Sequence, residues 1–242
     1  NVIKKNKADI IINAAAYTKV DNAEKEEVLA TIVNAESPIA MATAASENKI
    51  PIIHLSTDYV FNGNGNHRWK PNDKTMPLNA YGRTKLLGEI GIQKSNANYV
   101  ILRTSWVFSS TGNNFVNTIL KLSQNQKQIN IVGDQVGGPT SANSIAKTCL
   151  KIAKCLCIGQ KVCGIYHFSG YDDTTWVNLA NEVFAQLKIK VDIKEVTSNQ
   201  FLTEALRPKN SRLDCSSLLE AFGVTQSNWK DDLKHVLKEL MK

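Results

Sequence analysis

A chain of 242 residues, 43% of them hydrophobic, suits one large domain or two small ones and can bury a core. The formal net charge is +7, but the lysines are scattered, without a block and without interleaved aromatics, which argues against nucleic-acid binding. No run approaches the ~20 apolar residues of a membrane span and no signal peptide is visible, so a cytoplasmic protein without a membrane partner is expected.

Residues 1–8 read as the end of a helix leading into an apolar strand at 9–13. The apolar run 50–55 reads as a buried parallel strand ending in Ser56, Thr57 and Asp58. Ligands of open α/β sheets sit at the carboxyl ends of strands, so these small polar residues stand where a site belongs. A loop with Gly63, Gly65, Pro71 and Pro77 follows, and Asn79 is placed to cap a helix over 79–93. Further strands are expected at 99–105, 129–132, 164–169 and 191–196. Helices are expected from Ser141 onward, over 174–187 and over 230–240.

Tyr81 and Lys85 lie four residues apart on the helix at 79–93, one turn apart on one face. A free phenol titrates near ~10, and a neighbouring ammonium lowers that value by favouring the phenolate. With the Thr57 hydroxyl to hold a carbonyl, the set suits reduction of a ketone. The pair alone is weak, because a solvated helix surface gives the same spacing.

The ordered segments are what make the reading specific. They are 13–18 (Asn-Ala-Ala-Ala-Tyr-Thr), 56–61 (Ser-Thr-Asp-Tyr-Val-Phe), 81–85 (Tyr-Gly-Arg-Thr-Lys) and 103–107 (Arg-Thr-Ser-Trp-Val). Further on come 112–115 (Gly-Asn-Asn-Phe), 134–140 (Asp-Gln-Val-Gly-Gly-Pro-Thr) and 207–213 (Arg-Pro-Lys-Asn-Ser-Arg-Leu). Over nearly its whole length the chain resembles the extended short-chain dehydrogenases/reductases, and within them the dTDP-4-dehydrorhamnose reductase family. The resemblance implies a Rossmann-like parallel sheet with helices on both faces and a smaller α/β substrate-binding part. The NAD(P)-binding part would take 1–105 and 122–188, and the substrate-binding part 106–121 and 189–242. It also implies reduction of dTDP-4-dehydro-L-rhamnose by hydride from NADPH or NADH.

By that resemblance Tyr81 gives the proton to the substrate carbonyl, Lys85 binds the cofactor and tunes Tyr81, and Thr57 hydrogen-bonds the reacting oxygen. Ala15, Ala16, Tyr17, Thr18 and Leu55 are expected beside the cofactor. Asp58, Trp106, Asn113, Asn114 and Arg207 are expected on the nucleotide-sugar substrate, Trp106 by stacking on the sugar and Arg207 on phosphate through its fork of donors. Each has a plainer alternative: a turn for Asp58 and Arg207, a cap for Thr57, a core indole for Trp106. His54, inside an apolar run, reads as a satisfied core histidine. His67, His167 and His235 lack metal spacing. Some relatives bind magnesium through glutamates, but 184–186 (Phe-Ala-Gln) supply no carboxylate, so no metal is expected. The cysteines, Cys149, Cys155, Cys157, Cys163 and Cys215, form no Cys-x-x-Cys pair and are expected as reduced thiols.

The family's glycine-rich phosphate turn has no counterpart in these residues. The size of a βαβ unit plus a strand would put the missing piece at roughly 50 residues. The strand at 9–13 would then be an apolar sheet edge, open to a homodimer partner or a separate N-terminal segment, and this chain alone would bind NAD(P)H weakly or not at all. A non-catalytic sugar-nucleotide-binding or regulatory subunit, or an inactive fragment, stays open as the rival. An epimerase or dehydratase is disfavoured because Tyr59, not a glutamate, follows Asp58.

Overall fold

The computed structural model describes residues 2–160 and 162–242. A short helix, Val2–Asn6, leads into β1, Ile11–Asn13. Another short helix, Val20–Ala23, precedes the long helix α1, Glu27–Glu47, which carries a π turn at Ile32–Glu36. Then follow β2 (Ile52–Thr57), α2 (Ala80–Lys94), β3 (Tyr99–Thr104), α3 (Phe115–Ser123) and β4 (Gln128–Val132). The chain closes with α4 (Ala142–Cys157), β5 (Gly164–His167), α5 (Trp176–Leu187), β6 (Asp192–Val196), α6 (Ser216–Phe222) and α7 (Trp229–Leu240).

The main sheet has the order β1-β2-β3-β5, all parallel. Its strands are covered on both faces, which is why they read as unbroken apolar runs. Ile53, Val100 and Leu102 pack on Ile145, Cys149 and Ile152 of α4 and on Leu218 and Phe222 of α6. Their neighbours Ile52 and Ile101 point the other way, onto Ala42 and Ala45 of α1 and Ile92 of α2. β1 is an edge strand, with Ile12 39% exposed. A second core forms where α3, α5 and α7 cover the parallel pair β4–β6, with Val116, Ile129, Ile131, Val183, Phe184, Trp229 and Leu233 inside it.

The strand expected at 50–55 lies two residues later, because Ile50 still belongs to the preceding turn: its N–H donates to Ala45 O at 3.0 Å. Ser56 and Thr57 are therefore the last residues of β2 itself. The helix expected at 79–93 is α2, and that expected at 174–187 begins at Trp176, capped by Thr175. α1 is the most apolar long helix among the described residues. It is 21 residues long with a mean hydropathy of 1.3 in its most apolar window, enough to cross a membrane by length and composition alone. Here Ala30, Asn34, Ala35, Ala42 and Ala45 are buried, and the helix packs against α2 and β2. Gly88 permits that close approach of α1 and α2: a Cβ there would lie 2.2 Å from Asn34 O.

Candidate active site

Thr57 ends β2 and opens the single turn Asp58–Val60; its hydroxyl accepts from Tyr59 N–H and donates to Asp58 Oδ1, each at 3.2 Å. Asn79 caps α2 by accepting from Gly82 N–H at 2.8 Å, so the first turn of the helix sits against that strand end. Gly82 makes the fit possible, since a Cβ would lie 2.2 Å from Tyr59 O. Tyr81 is thereby half-buried, edge-on to the Tyr59 ring at 5.5 Å, with the Thr57 side chain facing its phenol.

Burial pushes the Tyr81 phenol up to about 12; the Thr57 hydroxyl opposes this and the Asp58 charge adds to it. The expected lowering by Lys85 is not found. The Lys85 ammonium is turned away, donating to Leu55 O at 2.6 Å and lying 3.2 Å from His54 Nε2. Lys85 is 1% exposed, and burial brings its ammonium down to about 8 against the opposing pull of Glu89. His54 is the satisfied core histidine the sequence suggested, 0% exposed, with Asn13 Nδ2 at 3.0 Å from its Nδ1. Burial first, and Lys85 second, hold it neutral.

Asp58 is buried, and burial raises its carboxyl to about 7; the Ser211 and Thr57 hydroxyls pull the other way. Asp58 Oδ2 closes no hydrogen bond, although the Ser211 hydroxyl faces the carboxyl. The turn reading of Asp58 thus understates it, because the carboxyl is aimed inward beside Thr57 and Tyr81.

After β1 the chain runs through Ala15, Ala16, Tyr17 and Thr18. The first and last are exposed and the middle two half-buried. No local signal marks what holds this loop. Asn34, in the π turn of α1, accepts from Tyr17 N–H at 2.8 Å and donates to Tyr17 O at 3.2 Å and to Thr84 Oγ1 at 3.1 Å. It ties the loop to the helix of Tyr81 and Lys85, as π turns often do at sites. The Tyr17 phenol donates to Glu26, which pushes it up to about 12. Leu55 contributes its carbonyl to Lys85, and its side chain packs on the sheet core.

A cleft of about 800 Å³ lies against the second core, lined among others by Tyr59, Phe115, Gln135, Trp176, Leu202 and Arg207. Of the residues expected on substrate, Arg207 lines it. Arg207 forms a bidentate pair with Asp21, Nη1–Oδ1 3.1 Å and Nη2–Oδ2 2.7 Å, which lowers the Asp21 carboxyl. Trp106 stacks face to face on Trp176, centroids 3.6 Å apart and 10° from parallel. One indole face is therefore taken by Trp176, and Trp106 adopts a left-handed φ of 49°. Asn113 is exposed. Asn114 caps α3, accepting from Asn117 N–H at 3.1 Å and donating to Ser109 O at 2.9 Å, so its amide is committed to the turn. The sequence also gave no sign of Asp21 and Trp176, whose partners lie far along the chain.

Behind the strand end, Glu89 of α2 and Arg103 of β3 form a buried ion pair, Nη2–Oε2 2.6 Å, and Ser56 donates to Glu89 Oε1 at 2.5 Å. All five cysteines are free thiols. Among the described residues no three His, Cys, Asp or Glu side chains cluster as a metal site.

The family described as RmlD substrate binding domain matches residues 1–242. The chain is 40% identical over 238 residues to the dTDP-4-dehydrorhamnose reductase of Escherichia coli K12, covering 96% of this chain and 80% of that protein. It is 38% identical to that of Sinorhizobium fredii, covering 96% and 81%. A crystal structure of a dTDP-4-dehydrorhamnose reductase from Clostridium acetobutylicum superposes with a TM-score of 0.92 at 35% identity, covering 100% of this chain and 84% of that one. The Bacillus anthracis enzyme, solved in complex with NADP, gives 0.92 at 33% identity, covering 98% and 83%. The α/β fold, the Thr57, Tyr81 and Lys85 set at one strand end and these relatives agree: the chain belongs to the RmlD substrate binding domain family, with the dTDP-4-dehydrorhamnose reductases.

Proposed function

We propose that the protein reduces the C4 ketone of dTDP-4-dehydro-L-rhamnose to the alcohol, an NAD(P)H-dependent step of nucleotide-sugar biosynthesis. The observation that carries this is the convergence of Thr57, Asp58 and Tyr81 at the end of β2, beside a cleft lined by Arg207, Phe115 and Trp176. The neighbouring residues fit a nicotinamide cofactor: Ala15 is exposed at the carboxyl end of β1, where backbone can approach a flat ligand, and Lys85 is held one turn behind Tyr81. When bound, the cofactor supplies the hydride that reaches C4.

The protein supplies the rest. A phenol pushed up to about 12 is fully protonated at neutral pH, so Tyr81 enters as a loaded acid. Its O–H passes a proton to the substrate oxygen as the C–O double bond becomes single, leaving the phenolate to be reloaded from solvent. Thr57 holds the same oxygen by a hydrogen bond, and Lys85, held on the Leu55 carbonyl one turn behind Tyr81, is kept for the cofactor's hydroxyls. Arg207 and the walls of the cleft hold the nucleotide diphosphate. The open edge of β1 is where a further strand, from a homodimer partner or a separate N-terminal segment, would pair.

Tyr81→Phe tests the assignment. It is expected to lower kcat by ~10²–10⁴-fold, with the Kd for the nucleotide sugar little changed. Turnover close to that of the unsubstituted protein would contradict it. Nucleotide-sugar binding with no turnover by the unsubstituted protein would favour the binding-subunit reading instead.

A further inference from the structure

Arg207 reaches the wall of the cleft already held from one side. A guanidinium presents five N–H donors in one rigid plane. Nη1 donates to Asp21 Oδ1 at 3.1 Å and to Ala205 O at 3.0 Å, and Nη2 donates to Asp21 Oδ2 at 2.7 Å. Three of the five donors are thereby spent. The Nε–H and the second Nη2 hydrogen are left, and the covalent geometry of the group points these two the same way, along one edge. Two parallel N–H groups are the form in which an arginine takes two oxygens of one phosphate. The Tyr59 phenol, which also lines the cleft, faces the same guanidinium.

Asp21 is itself fixed. It lies on the short helix Val20–Ala23, directly after the loop 15–18, while Arg207 follows the exposed segment 201–206. Asp21 Oδ1 also accepts from Ala205 N–H at 3.1 Å, so one carboxylate grips both the backbone of that segment and the side chain that follows it. Asn79, the cap of α2, adds a second tie by donating to Leu206 O at 2.7 Å. Arg207 cannot swing without opening the ring of bonds through Asp21 and Ala205. An arginine that is free in solvent gives up its rotamer freedom when it takes a phosphate, and one already clamped does not. The Arg207 hydrogen bond, working against partial burial, holds the Asp21 carboxyl below its ordinary range, so the clamp is charged at neutral pH.

We propose that Asp21 is a positioning residue for the nucleotide sugar: it clamps Arg207 from behind, so that the free edge of the guanidinium stands ready as a two-pronged donor to one phosphate of the diphosphate. The inference deepens the reductase reading and rests on its assignment of Arg207 to the diphosphate. Asp21 acts through Arg207 alone.

Equilibrium binding of dTDP, followed by NMR titration, tests this without cofactor or turnover. Thymidine, which has the same base and sugar but no phosphate, is the control. Asp21→Asn keeps the shape and an oxygen for Ala205 N–H but cannot accept both arms of the fork. It is expected to raise the Kd for dTDP about three- to ten-fold and to leave that for thymidine within about two-fold. In an Arg207→Ala background the same substitution should change the dTDP Kd by less than about 1.5-fold, because the two residues act as one unit. A purely structural Asp21 would weaken thymidine as much as dTDP and would keep its effect without Arg207; either result overturns the proposal. So would an unchanged dTDP Kd, or an unsubstituted protein that binds dTDP no more tightly than thymidine. Tighter dTDP binding by Asp21→Asn would also overturn it, by making the carboxylate a competitor of the phosphate. Failure of the reductase reading would show instead as absent turnover, with dTDP binding and its dependence on Asp21 and Arg207 intact.

Discussion

The end of the main sheet and the cleft beside it are built in opposite ways. At the sheet end the polar side chains are buried and tied to one another: Asn13 to His54 to Lys85, Ser56 to Glu89 to Arg103, Thr57 to Asp58. In the cleft, apolar side chains stand in the open, with Leu202 89%, Leu206 68% and Phe201 46% exposed on the segment 201–206. The chemical groups are fixed before any ligand arrives, which is how positioned donors contribute to rate. The binding surface is left to be covered by the ligand itself. Substitutions should therefore be severe at the first region and mild at the second.

Arg103→Leu is the sharpest way to break the contrast. It leaves Glu89, 0% exposed, without its partner, and a stranded buried charge costs about 3–5 kcal/mol. Urea unfolding should show that loss; a loss below about 1 kcal/mol would mean that Ser56 and water replace the guanidinium.

Acid titration comes next. Burial, and then the Arg103 charge, pull His167 down to about 3, and His54 is also held well below the ordinary histidine range. Both are neutral when folded and take up protons near pH ~6.5 when unfolded. The unfolded chain then binds more protons below that pH, so stability falls as pH drops from about 6.5 toward 3, by on the order of 4 kcal/mol for His167 alone. His167→Gln should flatten that limb, and an unaltered slope would contradict it. Asp58 acts in the opposite sense. Raised to about 7, it contributes stability below the ordinary carboxylate range that is lost as pH rises toward 7.

Arg207→Ala should raise KM for the nucleotide sugar about ten-fold or more, with kcat changed less, because a charge-assisted fork to phosphate is removed. An unchanged KM would confine Arg207 to its pairing with Asp21. The mildest change is Leu202→Ser, expected to shift stability by no more than about 0.5 kcal/mol. A larger loss would show that the loop is packed more tightly than its exposure indicates.

What the sequence revealed follows the same division. Local signals were readable: Asn79 as a cap, Tyr81 and Lys85 one turn apart, His54 as a core residue, the apolar run of β2. What escaped it is non-local. Asp21 meets Arg207 across most of the chain, and Trp106 gives one face to Trp176. α1 went unread because its buried face is largely alanine, which sets up little contrast between its sides, and its π turn matters only through Asn34 and the distant Tyr17 and Thr84. The lowered tyrosine expected from Tyr81 and Lys85 failed for a related reason. Spacing along a helix places two side chains on one face, but His54 and Leu55, from another strand, decide where the ammonium points.

Hydride transfer to C4, with Tyr81 as the proton donor, leaves a label that can be located in the product. The most direct measurement gives the protein dTDP-4-dehydro-L-rhamnose with a reduced nicotinamide cofactor carrying deuterium at its transferable position, and locates the label by NMR. One deuterium at C4 of the L-rhamnosyl product, absent with Tyr81→Phe, is the predicted result. Label at another carbon, or product formed at the usual rate by Tyr81→Phe, would contradict the account.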